Sequence, residues 1–528
     1  MLILQNISYK HPNKDVLFHD IHLSLQDNKK IALIGNNGVG KSILLKIIAG
    51  ELTPASGQRS VTGTTYFVPQ IFGQYNELSI AQALKIETKL VALHQILSGI
   101  ATEDNLTALD DDWNIEERCQ EALHYWQLSD LDLEQKLGTL SGGQKTKVFL
   151  AGISIHQPRI VLLDEPSNQL DSISRTLLYQ FIRSTSSSII VVSHDRYLLN
   201  QLDSIYELSS SGLMYYNGNY DFYLEEKKLR HDTLQLDLKH KEKELRKIKT
   251  KARETLERQQ KLDARGKGKQ QKEGVSRIMM NTLRNNAEKS TAKLKDTHAE
   301  KTASITQELL SLRHEIPDID KIKFGLTDST LHTGKTLFKI NNLNISYDNQ
   351  PLWQENLNLQ ITSAERVALK GKNGSGKTTF IQILLNKLAN FTGEVYRSEN
   401  KAVYIDQDYS MVNNALSIYD QVQEFNDTGL QEHEIKIRLN RFLFSKDTWD
   451  KPCSILSGGE KMRLCLCCLT IHQRTPDIIV MDEPTNNLDI QNIEILTAAL
   501  KEYQGTLLIV SHDDYFLNEI NIGRTIML

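Results

Sequence analysis

Short, almost wholly apolar runs recur along the chain, at residues 31–34 (IALI), 160–163 (IVLL), 367–369 (VAL), 478–481 (IIVM) and 507–510 (LLIV). Runs of this length without polar alternation predict strands covered on both faces, as in a parallel α/β sheet. From about 224 to 316 the pattern changes: strand-like runs vanish and Lys, Arg, Glu and Gln dominate. Leu238, Leu245, Ile248, Ala252 and Leu256 keep the spacing of one helical stripe, and Met280, Leu283, Ala287, Leu294, Ile305, Leu309 and Leu312 make a second. Gly266, Gly268 and Gly274 lie between them. Glycine is costly inside helices, so this cluster predicts the turn of an antiparallel helical hairpin. Arms of about 40 residues give a rod of roughly 60 Å.

On either side of that segment the chain repeats itself. Lys41 to Gln70 spans 29 residues and Lys377 to Gln407 spans 30, while Glu165 to His194 and Glu483 to His512 both span 29. One interval differs appreciably: Gln70 to Ser141 is 71 residues, against 50 from Gln407 to Ser457. The chain is therefore a duplicated pair of domains around a helical insert, and its 528 residues suffice for two or three domains with full cores.

Composition adds limits. No run approaches the roughly 20 apolar residues of a membrane helix, and the N-terminus has no basic, apolar and small-residue succession of a secretion signal, so a cytoplasmic protein is expected. The five cysteines, Cys119, Cys453, Cys465, Cys467 and Cys468, lack paired ligand spacing and read as reduced core thiols. Net charge is −4 but unevenly spread. Residues 221–300 carry 22 Lys/Arg against 14 Asp/Glu, and the remainder 40 against 52. A basic excess concentrated in a helical arm suits nucleic acid through counterion release, and equally suits a solvated coiled coil. Arg265, Lys267, Lys269, Lys272 and Arg277 put charge near the glycines, and Ile278, Met279 and Met280 are apolar there, to close the hairpin or to meet RNA.

The chemistry lies in the repeats. GNNGVGKS (35–42) and GKNGSGKT (371–378) each fit GxxxxGK[ST] between a strand-like and a helix-like run. Such loops close backbone N–H groups around phosphates at a helix N-terminus. Gly35, Asn36, Asn37, Gly38 and Gly40, and Gly371, Asn373, Gly374 and Gly376, would form the cradles. Lys41 and Lys377 would neutralise β- and γ-phosphates, and Ser42 and Thr378 would give Mg²⁺ a hydroxyl. Two apolar strands end in paired acids. Asp164 and Asp482 are candidates for Mg²⁺, and Glu165 and Glu483 for polarising the attacking water. His194 and His512 follow a further strand and could sense or stabilise the γ-phosphate.

LSGGQ (140–144) and LSGGE (456–460) narrow the family. They resemble the signature sequences of ABC ATPases, and the resemblance covers both repeats. It implies that Gln70 and Gln407 are Q-loop glutamines beside the metal, that Asp171 and Asp489 are D-loop aspartates, and that Tyr9 and Tyr347 stack on adenine. It also implies an intramolecular head-to-tail pairing, in which Ser141, Gly142 and Gly143 close on ATP held by Lys377, and Ser457, Gly458 and Gly459 on ATP held by Lys41. The D-loops differ, SNQLD at 167–171 and TNNLD at 485–489.

Two such cassettes around a charged hairpin, entered through NGNYDFYLEEK (217–227), resemble the ABC-F family of ribosome-associated ATPases. The expected fold is α/β: a first P-loop nucleotide-binding domain at 1–222, a helical-hairpin linker at 223–320 and a second nucleotide-binding domain at 335–528. The resemblance implies binding to the ribosome, its rRNA and tRNA, through the linker in an ATP-bound closed state, with release on hydrolysis. An exporter ATPase subunit and a DNA-repair-type ATPase are the competing classes; the arm has no evident role in the first, and the cysteines offer no zinc module for the second. The small excess in the first copy and the short sequence after His512 lean toward antibiotic resistance rather than housekeeping translation.

Overall fold

A computed structural model describes the chain except residues 12–15, 210, 273–291, 293–295, 298, 314–331, 348–349, 373, 428 and 473–474. Two compact units emerge, one of Met1–Asp221 with Lys321–Leu528 and one of Phe222–Asp320.

The first unit holds both repeats. In the first, strands β1 (Leu2–Lys10), β2 (Val16–Leu25) and β4 (Ser56–Val61) form an antiparallel sheet in the order β2-β1-β4. A second sheet runs β5-β6-β7-β3-β8-β9, from β3 (Lys30–Ile34), β5 (Thr65–Val68), β6 (Ile160–Asp164), β7 (Ser188–Val192), β8 (Ser204–Ser209) and β9 (Gly212–Tyr216). Its pairs are parallel except β8 with β9. The helix Lys41–Ala49 lies between the sheets: Leu44, Leu45, Ile47 and Ile48 share one core with Leu2, Ile7 and Ile21 from one sheet and Leu33, Ile160 and Leu162 from the other. β6 and β7 are buried at every position, which is why they contain no alternation.

The second repeat is built alike. Strands β10 (Thr336–Asn344), β13 (Leu357–Thr362) and β15 (Thr392–Arg397) make an antiparallel sheet, and β11 (Ser346–Tyr347) and β12 (Gln350–Pro351) a two-residue hairpin. β14 (Arg366–Lys370), β16 (Ala402–Ile405), β17 (Ile478–Asp482), β18 (Thr506–Val510) and β19 (Arg524–Met527) form an all-parallel sheet in the order β16-β17-β18-β14-β19. The helices Glu87–Leu97 and Glu103–Leu109 occupy the interval where the first repeat is longer.

All five cysteines are free and buried, and Cys465, Cys467 and Cys468 point into the core from the helix Gly458–Ile471. Burial pushes the Cys467 thiol up to about 12 and the other two upward as well. A thiolate-directed alkylating reagent at pH 8 should therefore leave these three unmodified in the folded chain and label them only in denaturant. Rapid labelling of any of them under native conditions would contradict the packing.

In the other unit the helix Tyr220–Lys272 runs for 53 residues, about 80 Å, beyond the 60 Å expected. It passes unbroken through Gly266 and Gly268, so the turn does not fall there. Each glycine costs a helix only about 1 kcal/mol, and the Lys, Arg, Gln and Ala around them are good helix formers. Gly274, Met280, Leu283, Ala287 and Leu294 lie outside the described residues, as do Arg277, Ile278 and Met279. Residues 299–313 are helical and lie beside the first arm: Lys241 Nζ meets Glu308 Oε2 at 2.7 Å, and Arg313 Nη2 donates to Glu242 Oε1 at 2.7 Å. Ile305 and Leu309, from the second stripe, are buried.

Candidate nucleotide-binding sites

Each phosphate loop links a central parallel strand to a helix whose N-cap is a left-handed glycine, Gly40 at φ 103° and Gly376 at φ 88°. A Cβ on Gly40 would lie 2.6 Å from Leu17 Cδ2, and one on Gly376 2.5 Å from Leu352 Cδ2, so both conformation and space demand glycine. The Lys41 ammonium donates to the carbonyls of Gly35 (2.7 Å) and Asn36 (3.2 Å), and that of Lys377 to Gly371 and Lys372, both at 2.9 Å. Asn373 lies outside the described residues.

β6 and β17 carry their acids to the edge where parallel sheets present ligand sites. Glu165 and Glu483 follow directly, in left-handed backbone at φ 50° and 47°. Their N–H groups donate to Val192 O (2.8 Å) and Val510 O (2.9 Å), the last residues of β7 and β18. Two residues further, His194 and His512 bring Nε2 to 3.2 Å from Glu165 Oε1 and 3.4 Å from Glu483 Oε1. These contacts are not aligned as hydrogen bonds. Asp164 Oδ1, both Glu165 oxygens, both His194 ring nitrogens and His512 Nε2 are buried without a hydrogen-bond partner among the described residues. Five of these orphaned polar atoms lie together at the first site, and their clustering marks a site built for a polar ligand.

Burial raises Glu165, against the pull of Lys41, and lowers Lys41 and His194. In the second site burial takes Glu483 up to about 7, opposed first by Arg175, and His512 down to about 4. A carboxylate poised near neutrality is suited to accept a proton from water.

A cavity of about 390 Å³ gathers Asn37, Gly38, Gly40, Lys41, Ser42, Gln70, Asp164, Glu165 and His194, together with Asn487 from the other repeat. Tyr9, Ser457, Gly458 and Gly459 do not line it. Tyr9 sits on β1 against Phe18, ring centroids 6.2 Å apart, whereas Tyr347 on β11 is 54% exposed. Gln407 is exposed just after β16. The oxygen donors fit Mg²⁺: Ser42 and Asp164 line the same cavity, and Thr378 Oγ1 donates to Asp482 Oδ2 at 2.8 Å.

Ser141 and Ser457 cap the helices Gly142–His156 and Gly458–Ile471 in capping boxes with Gln144 and Glu460. The second D-loop reaches the first phosphate loop: Asn37 N donates to Asp489 Oδ2 (2.9 Å) and Asn37 Nδ2 to Asn487 O (3.0 Å). Asn168 Nδ2 donates to Asn487 Oδ1 (3.2 Å), and the buried Arg196 pairs with Glu519 and lies over the Tyr515 ring, 5.1 Å from its centroid. Sequence reasoning missed Asn487, Asn168 and Arg196; only the first two stood inside a motif it had isolated.

Fold and sites together define an ATP hydrolase with two cassettes of the ABC class. The family model described as ABC transporter matches residues 18–168 and 354–486. The putative ATP-binding protein YdiF of Bacillus subtilis is 32% identical over 98% of this chain and 79% of its own length. The ribosome protection protein VmlR of the same organism is 27% identical over 100% of this chain and 86% of its own. The crystal structure of an archaeal ribosome recycling factor with a ribosomal stalk protein superposes with a TM-score of 0.57, at 18% identity over 98% of this chain and 86% of that one, a likeness of fold alone. The chain belongs to the ABC-F family of tandem-cassette ATPases.

Proposed function

We propose that this chain is a translation factor that binds ribosomes with ATP in its closed cassettes and leaves on hydrolysis, acting in translation regulation or in ribosome protection. The observation that carries the closed state is the bonding of Asn37 to Asp489 and Asn487, which makes one cassette's phosphate loop depend on the other's D-loop. The charge of Asp171 acts in turn on Lys377 of the second phosphate loop, which supports a reciprocal arrangement.

Lys41 and Lys377 hold the phosphates, and Glu165 and Glu483 take the proton of the attacking water. His194 and His512 stay neutral through burial and so can donate to, or accept from, the γ-phosphate end. Ser42, Asp164 and Gln70, and Thr378, Asp482 and Gln407, would hold Mg²⁺, which when bound offsets phosphate charge. Tyr9 and Tyr347 offer rings to adenine, and Ser141–Gly143 and Ser457–Gly459 complete the opposite sites on ATP-driven closure. The ribosomal assignment is supported by similarity to the ribosome protection protein over the whole chain and by the basic hairpin, suited to rRNA and tRNA. Among the described residues no helix is long and apolar enough to cross a membrane, which fits a cytoplasmic factor.

Sedimentation through sucrose tests this reading. A Glu165→Gln, Glu483→Gln chain should co-sediment with ribosomes in ATP and not in ADP, and added salt should weaken the association. Equal distribution in both nucleotides would overturn it.

A further inference from the structure

At one matched position beside the ATP sites the two cassettes differ in charge. Asp171 caps the helix Ser172–Ser184 through Ser174 N (2.9 Å), and Asp489 caps Ile490–Glu502 through Asn492 N (2.9 Å). Four residues on, the first cassette has Arg175 and the second Ile493. Arg175 Nε donates to the carbonyls of Ser167 and Leu170, both at 3.1 Å, which moors the guanidinium to its own D-loop. Among the described residues no hydrogen bond or ion pair engages its Nη atoms.

Arg175 lines a cavity of about 620 Å³ between the cassettes, shared with Thr485, His512 and Asp513 of the second cassette and His194 of the first. Of the charges acting on the Glu483 carboxyl, that of Arg175 is the largest, ahead of Asp482 and Lys377. His512 feels it too. Among the described residues the first site has no equivalent: the cation acting on Glu165 is its own Lys41, and Ile493 reaches the same cavity with an uncharged side chain.

We propose that Arg175 is a residue of the second ATP site supplied in trans by the first cassette, and that the first site works without a counterpart. The inference rests on Glu165 and Glu483 being the hydrolytic carboxylates. In hydrolysis the bond from Pγ to the bridging oxygen of ADP breaks as the water oxygen bonds to Pγ, and the water proton passes to Glu483. The oxygens on Pγ remain anionic, and a planar guanidinium with uncommitted Nη donors is suited to that charge. Its mooring beside Asp171 ties its position to D-loop closure, so the second site is completed only when the cassettes meet.

The test uses single-turnover hydrolysis by the full chain, counting ATP consumed per molecule. With Glu165→Gln, which leaves the second site to hydrolyse, adding Arg175→Ala should slow cleavage by about 10²-fold, the scale for removing one preorganised donor. Arg175→Lys should recover part of it. With Glu483→Gln, which leaves only the first site, Arg175→Ala should change the rate by less than about 2-fold and so also reports that the chain is folded. Equal losses in both backgrounds, or none with Glu165→Gln, would overturn the proposal. If the two Gln variants by themselves hydrolyse at the parent rate, the assignment of the carboxylates fails instead, and the role of Arg175 falls with it.

Discussion

Replacing Glu165 and Glu483 together by glutamine should reduce ATP turnover by about 10²–10⁴-fold while leaving ATP binding nearly intact, the range attributable to one positioned general base. The amide keeps the size of the carboxylate and removes its capacity to accept a proton. Both side chains are held by left-handed backbone anchored to β7 and β18, and such strain persists only where the surroundings fix it. The substitution should thus change chemistry without moving the loop. Phosphate release measured beside equilibrium binding of a fluorescent ATP analogue separates the two effects. Full turnover in both single variants would remove these residues from the reaction.

Truncating Phe380 to alanine should destabilise the second cassette by about 3–5 kcal/mol, the usual cost of deleting a buried aromatic. The ring is 0% exposed, edge-on to Trp353 with centroids 6.3 Å apart, in the core that joins Leu337 and Ile361 to Leu369 and Ile478. It belongs to the helix Lys377–Leu384, whose first turn carries Lys377 and Thr378. The cavity therefore loosens the footing of the phosphate loop as well. Urea unfolding should show an early transition, and nucleotide affinity at the second site should drop with it. A midpoint shift equivalent to less than about 1 kcal/mol would mean that the helix does not rest on this ring.

Much of this was legible in the chain because binding phosphate imposes local spacing. Eight residues fix a loop, and the apolar runs of β6 and β17 can only be buried strands ending at their acids. Relations between the repeats were not legible. The bond from Asn37 to Asp489 joins residues 452 apart, and no local pattern distinguishes Arg175 from a solvated helix residue. The glycine pair at 266 and 268 misled for a physical reason: a penalty of about 1 kcal/mol each is easily outweighed in a long helix of good formers. Tyr9 and Tyr347 share an I-S-Y context yet differ in environment, because one lies in a nine-residue strand over a core and the other in a two-residue hairpin.

The start of the long helix is clasped by Asn200, which donates to Asp221 Oδ1 at 3.1 Å and accepts from Asp221 N at 2.9 Å. Asn200 closes the short helix Arg196–Leu199, which begins two residues after His194. His194 is thus six positions along the chain from the residue that clasps the first turn of a 53-residue helix, so any shift of the short helix Arg196–Leu199 is felt at both ends of that link.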